Sequence, residues 1–209
     1  GKGYASETRG QNYPGGYPKL EPAGLVAGAA DTPAPSPAGV LAAGADLNAK
    51  DKKGEPPLHR AILQGNTPLA DALIKAGANL NATNKYEETP LHVASLKGDT
   101  PVAELLIKAK ANLNATNKDG ETPLHVASSK GNTAVADALI KALTEAGEDL
   151  NAKDFCEQTP LHLASSKGNT PVAELLIEAK ADLNATNEYG ETPLHLAIAK
   201  RNIKVARLL

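Results

Sequence analysis

A four-residue phrase, Thr-Pro-Leu-His, stands at 89–92, 122–125, 159–162 and 192–195, and a Pro-Pro-Leu-His variant stands at 56–59. Counted from the Leu-Asn-Ala that precedes each, five units begin at Leu47, Leu80, Leu113, Leu150 and Leu183, with spacings of 33, 33, 37 and 33. A repeat of this period constrains the fold more than any single residue. It means one supersecondary unit copied along the chain, and each copy must stack on the next to cover its apolar face.

One unit can be read from its own residues. Thr89 is a good helix N-cap, Pro90 suits the first helical position where an N–H is dispensable, and Gly98 suits a left-handed stop, so a helix is expected over 90–97. Thr100 and Pro101 then open a second helix, with Val102, Leu105, Leu106 and Ala109 on one face. Between units, stretches such as Asn-Leu-Asn-Ala-Thr-Asn-Lys-Asp-Gly-Glu-Thr have turn-forming density and predict a projecting β-turn or hairpin. Short helices of this kind are marginal alone, so the units must share a continuous core.

The period and the Thr-Pro-Leu-His-x-Ala core resemble the ankyrin-repeat family over residues 47–209. The resemblance implies an all-α solenoid of helix-turn-helix units with projecting β-turn fingers. It also implies that each motif histidine bonds its Thr cap and the neighbouring finger, and that fingertips and the exposed end of the first helix meet protein partners.

Departures from the repeat are specific. The third unit carries four extra residues around 143–146, close to one helical turn, so its second helix should lengthen with the apolar stripe in register. Glycine in the finger is replaced by Glu87 and Glu157, and glycine after the second helix by Lys110 and Lys180; the last unit has Arg201 where a first-helix glycine is expected. A side chain in a left-handed position costs about 1 kcal/mol, so the units with Glu87, Glu157, Lys110 and Lys180 are expected to be tolerable but locally strained or slightly reshaped.

The first 46 residues differ in character, holding six of the fifteen prolines and nine of the eighteen glycines. Residues 1–37 are read as an extended Gly/Pro-rich arm that lies on the surface of a larger assembly or, as the alternative, on the flank of the repeats themselves, and 38–46 as the remnant of a capping unit. The repeat domain then runs over 38–209, its last unit incomplete. Leu208 and Leu209 are expected to be covered by further chain, a partner or another copy.

The only cysteine, Cys156, sits six positions before His162, a pairing that raises the question of a nucleophilic site. All five histidines, however, are motif histidines: His59, His92, His125, His162 and His195. An active site would not be copied into every unit, so a cysteine enzyme is only a remote alternative and no catalytic residue is assigned. A lone cysteine with no paired histidines builds no metal site, and Tyr-Pro-Gly-Gly-Tyr-Pro lacks the Lys-Ser/Thr of a phosphate loop, so no metal or cofactor is expected. A net charge of −2 lacks the basic surplus of a nucleic-acid binder. The longest weakly apolar stretch, before residue 47, is broken by Asp31 and prolines, so membrane insertion is not expected, though peripheral association with a membrane complex is open. One cysteine fits a reducing, intracellular setting, and a chain without an initial Met leaves room for a removed targeting peptide and an organelle destination.

Binding is therefore the expected function. The fingertips read Lys52-Lys53, Lys85-Tyr86, Lys118-Asp119, Phe155-Cys156 and Glu188-Tyr189. The six aromatics fall either there (Tyr86, Phe155, Tyr189) or in the arm (Tyr4, Tyr13, Tyr17), where rings serve as interface anchors, the alternative being that each ring folds back onto the adjacent finger. Lys97, Lys130, Lys167 and Lys200 align as a basic stripe after Gln64, and Asp71, Glu104, Asp137 and Glu174 as an acidic one, together able to orient an acidic partner on the concave side. The chain is expected to be a scaffold or extrinsic subunit of a larger complex, with a soluble adaptor recruiting one partner as the alternative.

Overall fold

The computed structural model describes residues 46–209. The arm with Tyr4, Tyr13 and Tyr17, and the capping remnant up to residue 45, lie outside the described residues. Among those described, regular structure is entirely helical and comes in five pairs: α1 (Pro57–Leu63) with α2 (Thr67–Lys75), α3 (Pro90–Lys97) with α4 (Thr100–Lys108), α5 (Pro123–Lys130) with α6 (Thr133–Ala146), α7 (Pro160–Lys167) with α8 (Thr170–Glu178), and α9 (Pro193–Ala199) with α10 (Ile203–Ala206). First helices pack on first helices and second on second, so the pairs form two layers.

The start of α3 shows why the motif works. Thr89 is extended, Pro90 follows at the first turn, and the N3 histidine takes the place that Glu or Gln holds in an ordinary capping box. The Thr89 hydroxyl lies 2.8 Å from His92 Nδ1, and the Thr89 amide donates to the same nitrogen at 3.1 Å. The helix ends on Gly98 at φ 70°, a conformation that costs a residue without a Cβ nothing.

The second helix begins differently from expectation. Asp99, not Thr100, is the cap of α4: its carboxylate accepts from Val102 N at 3.3 Å, and Thr100 is already helical. A carboxylate at this end also meets the positive pole of the helix, which a threonine hydroxyl would exploit less well. Asn66 plays the same part for α2.

The core is aliphatic and lies between the layers. Leu91 and Ala94 of α3, Leu124 and Ala127 of α5, and Leu161 and Ala164 of α7 meet Val102, Ala103 and Leu106 of α4 and their counterparts in α6 and α8, all at most 1% exposed. Small alanines allow close approach, while each buried leucine contributes about 1.5–3 kcal/mol. The four-residue insertion makes α6 fourteen residues long against nine in α4 and α8, and Leu143 is buried in line with Leu139. One added turn thus extends the stripe without rotating it.

All five positions where the repeat lacks its glycine adopt positive φ: Glu87 (61°), Lys110 (64°), Glu157 (56°), Lys180 (64°) and Arg201 (60°). Stacking therefore overrides the local preference of these side chains. In the last pair, Ile198 and Ile203 are exposed, and Leu208 is partly so.

Candidate protein-binding surface

Five fingers project between the helix pairs, at 51–55, 84–88, 117–121, 154–158 and 187–191, and we number them 1 to 5. Each is built on an Asn or Asp whose side-chain oxygen accepts two backbone amides. In finger 2, Asn84 Oδ1 takes Tyr86 N at 2.9 Å and Glu88 N at 3.1 Å, and Asn84 N donates to Glu88 O at 3.1 Å. Asp51, Asn117, Asp154 and Asn187 repeat this ring. No strand forms among the described residues; the projecting turn is held by its own side chain instead.

Neighbouring fingers are joined backbone to backbone. Lys118 N donates to Tyr86 O at 3.1 Å, Phe155 N to Asp119 O at 3.1 Å, and Glu188 N to Cys156 O at 3.2 Å. The same pair of positions is used each time, so successive fingers 2 to 5 share one spacing.

The histidines tie helices to fingers. His59, His92, His125 and His162 each place Nε2 at 2.7–3.0 Å from a carbonyl of the next unit, on Glu88, Glu121, Gln158 and Glu191 respectively. A carbonyl accepts only, so Nε2 carries the hydrogen, and Nδ1 is left bare to accept from the Thr cap. The imidazoles are therefore neutral. Burial holds His59 and His92 down to about 4, and lowers His125 and His162 as well. In the first unit Pro56 replaces the threonine, and His59 Nδ1 is buried without a partner.

What varies from finger to finger is the tip. Lys52, Lys53, Lys85, Lys118, Asp119, Phe155, Glu188 and Tyr189 are exposed, the two rings at 75% and 77%. Tyr86 is only half-exposed, with the Lys85 ammonium 4.8 Å from its ring centre, a contact that repetition alone does not reveal. Phe155 lies across finger 3, its ring against Gly120.

Cys156 is partly covered on the acidic side of finger 4. Desolvation, and after it the carboxylates of Asp154 and Glu188, push its thiol up. An activated nucleophile requires the opposite field, so its surroundings keep the thiol protonated. Among the described residues no cluster of His, Cys, Asp or Glu is arranged to hold a metal ion, and no helix is long and apolar enough to cross a membrane.

The lysines of the proposed basic stripe, Lys97, Lys130, Lys167 and Lys200, all lie exposed where a first helix ends. The acidic stripe is less available: Asp71 and Asp137 each bind the lysine one turn on, Lys75 and Lys141, at 2.7 Å. Both pairs are exposed and contribute little to stability, but they neutralise half of that stripe.

A further set of residues was not anticipated. Asn132, Asn169 and Asn202 send their amides back to the ends of the preceding first helices, on Ser95, Ser128 and Ser165 carbonyls at 2.6–2.8 Å. The recurrence of Asn two positions after Lys130, Lys167 and Lys200 was the available signal.

A family model described as ankyrin repeats in three copies matches residues 38–117, 58–154, 96–187 and 134–209. The chain belongs to the ankyrin-repeat family. Its matches overlap to cover 38–209, which includes every finger and helix described above. No curated protein matches the chain. An ankyrin array is a protein-binding module, and the buried, repeated framework beneath variable tips is the form such a module takes here.

Proposed function

We propose that this ankyrin array is a non-enzymatic scaffold or extrinsic subunit of a larger protein complex, contacting its partners through the fingertips, the concave face of the first helices and an N-terminal arm over 1–37. The repeat domain in this reading is 38–209. The observation that carries it is the division of labour within each finger. The Asn or Asp ring, the histidine link and the helices beneath are repeated and buried, whereas the tips change residue by residue, and two present solvent-exposed aromatic rings. Rings held on a rigid backbone lose little freedom on docking, which suits them as anchors.

The test is gentle purification of the native protein with whatever co-migrates, repeated with Phe155→Ala. Because the ring is 75% exposed, the variant should keep the unfolding free energy within about 0.5 kcal/mol while the partner's affinity falls roughly tenfold. Unchanged affinity removes Phe155 from the contact. Deleting 1–37 separates the two forms of the proposal: a subunit loses its place in the complex, whereas an adaptor keeps its partner.

A further inference from the structure

The order of the fingertips is self-complementary when reversed. Finger 1 carries Lys52 and Lys53, and finger 5 carries Glu188; finger 3, at the middle, carries Lys118 beside Asp119. Finger 2 presents Lys85 over Tyr86, and finger 4 presents the exposed ring of Phe155. Read from the opposite end, cation meets anion at both ends, ammonium and aromatic meet ring at the intermediate positions, and the Lys118 and Asp119 of one copy meet the Asp119 and Lys118 of the other.

We propose that a second copy of this chain docks antiparallel along the fingertips, with the two-fold axis passing through finger 3. An interface about such an axis brings residue i to j and j to i, the relation that the finger sequence satisfies. The spacing satisfies it too. Fingers 2, 3 and 4 are linked through one repeated backbone bond of 3.1 Å, so the steps from finger 3 to fingers 2 and 4 match. The four-residue insertion that breaks the sequence period lies at the far end of α6 and leaves the finger spacing untouched. Phe155, at 75% exposure, gains cover against the Lys85 and Tyr86 of the opposing copy, where a cation over a ring is favourable. The fingertip edge is narrow, so the dimer is a concentration-dependent one rather than an obligate pair. It uses the tips that a different protein would use, so the two modes compete. Its test needs no other partner, so its failure would leave the proposed function standing.

The decisive experiment is sedimentation equilibrium of the full 209-residue chain at low salt, up to about 0.5 mM. The wild type should show a monomer–dimer equilibrium that weakens as salt is raised. Lys52→Glu with Lys53→Glu sets acid against Glu188, and Glu188→Lys sets base against Lys52 and Lys53; each variant alone should dimerise about tenfold or more weakly. Mixed together, the two variants present acid to base at both ends and should recover the wild-type constant as a heterodimer. All three positions are exposed, so folding is not at stake, and a circular dichroism melt confirms it. A chain that stays monomeric throughout, a dimer indifferent to the reversals, or a mixture that does not recover would each overturn the proposal.

Discussion

The side-chain amide of Asn132 donates to the carbonyl of Ser95 at 2.7 Å, across thirty-seven positions of sequence, and reaches Leu96 O at 3.3 Å. Asn169 and Asn202 repeat it one and two units on. Asp99 stands at the equivalent place, and a carboxylate has no hydrogen to give, so it caps its own helix instead. Asp99→Asn should add the missing staple to the end of α1. The expected gain is about 1 kcal/mol, read as a rise of about 2–4 °C in thermal midpoint. An unchanged or lowered midpoint would show that the staple contributes nothing in this unit.

Gly120 and Gly190 have nearly the same backbone, at φ 76° and 74°, but different surroundings. A Cβ at Gly120 would lie 2.6 Å from Phe155 Cδ1 and 2.8 Å from Phe155 N, whereas one at Gly190 meets nothing within 4 Å. Gly190→Ala should therefore cost the left-handed penalty of about 1 kcal/mol, and Gly120→Ala at least about 1 kcal/mol more because backbone must shift. Equal losses in urea unfolding would mean that the Phe155 contact is not tight.

The buried histidines set a pH dependence. His59 and His92 titrate near about 4 in the folded chain against 6.5 for the free side chain, so between those values the unfolded chain holds more protons. Stability is full above pH 6.5 and falls as pH is lowered through this window, by about 1.4 kcal/mol per pH unit for each histidine. Glu55 and Asp154, whose carboxyls burial pushes upward, bind protons more readily when folded and soften the loss at its lower end. Urea midpoints should be flat from about pH 8 to 7 and drop clearly by about pH 5. A flat profile down to about pH 5 contradicts the neutral imidazole network.

Lys110 and Lys180 both sit at φ 64° directly after a second helix. Replacing either with glycine should stabilise the array by up to about 1 kcal/mol, because a strained Cβ is removed at a helix stop. A loss on calorimetry would show that the lysine side chain makes a contact outweighing the strain.

Much of this architecture was open to reading in the chain itself. Thr89, Pro90 and Gly98 marked a helix at its observed bounds, and the absence of glycine at Glu87, Lys110, Glu157 and Lys180 pointed to four left-handed side chains that are all found, with Arg201 a fifth. Local chemistry decides such features, so local sequence shows them. Asp99 was passed over as a cap because Thr100-Pro101 imitates the Thr-Pro of the first helix; the deciding factor is which side chain reaches Val102 N. The Asn132 staple joins groups thirty-seven residues apart, and the half-cover of Tyr86 depends on the rotamer of Lys85, so both needed three dimensions. The pairing of Asp137 with Lys141 was within reach, since the two lie one helical turn apart.

The histidine links run in series along the stack, one per junction, from His59 to Glu88 through His162 to Glu191. Under tension applied at the two ends, each junction bears the whole load, and the array should give way unit by unit rather than at once. Every released unit of 33 residues lengthens the tether by up to about 11 nm, and the unit of 37 by about 1 nm more. The four-residue insertion thus becomes a length mark that identifies, in a single-molecule trace, which unit has opened.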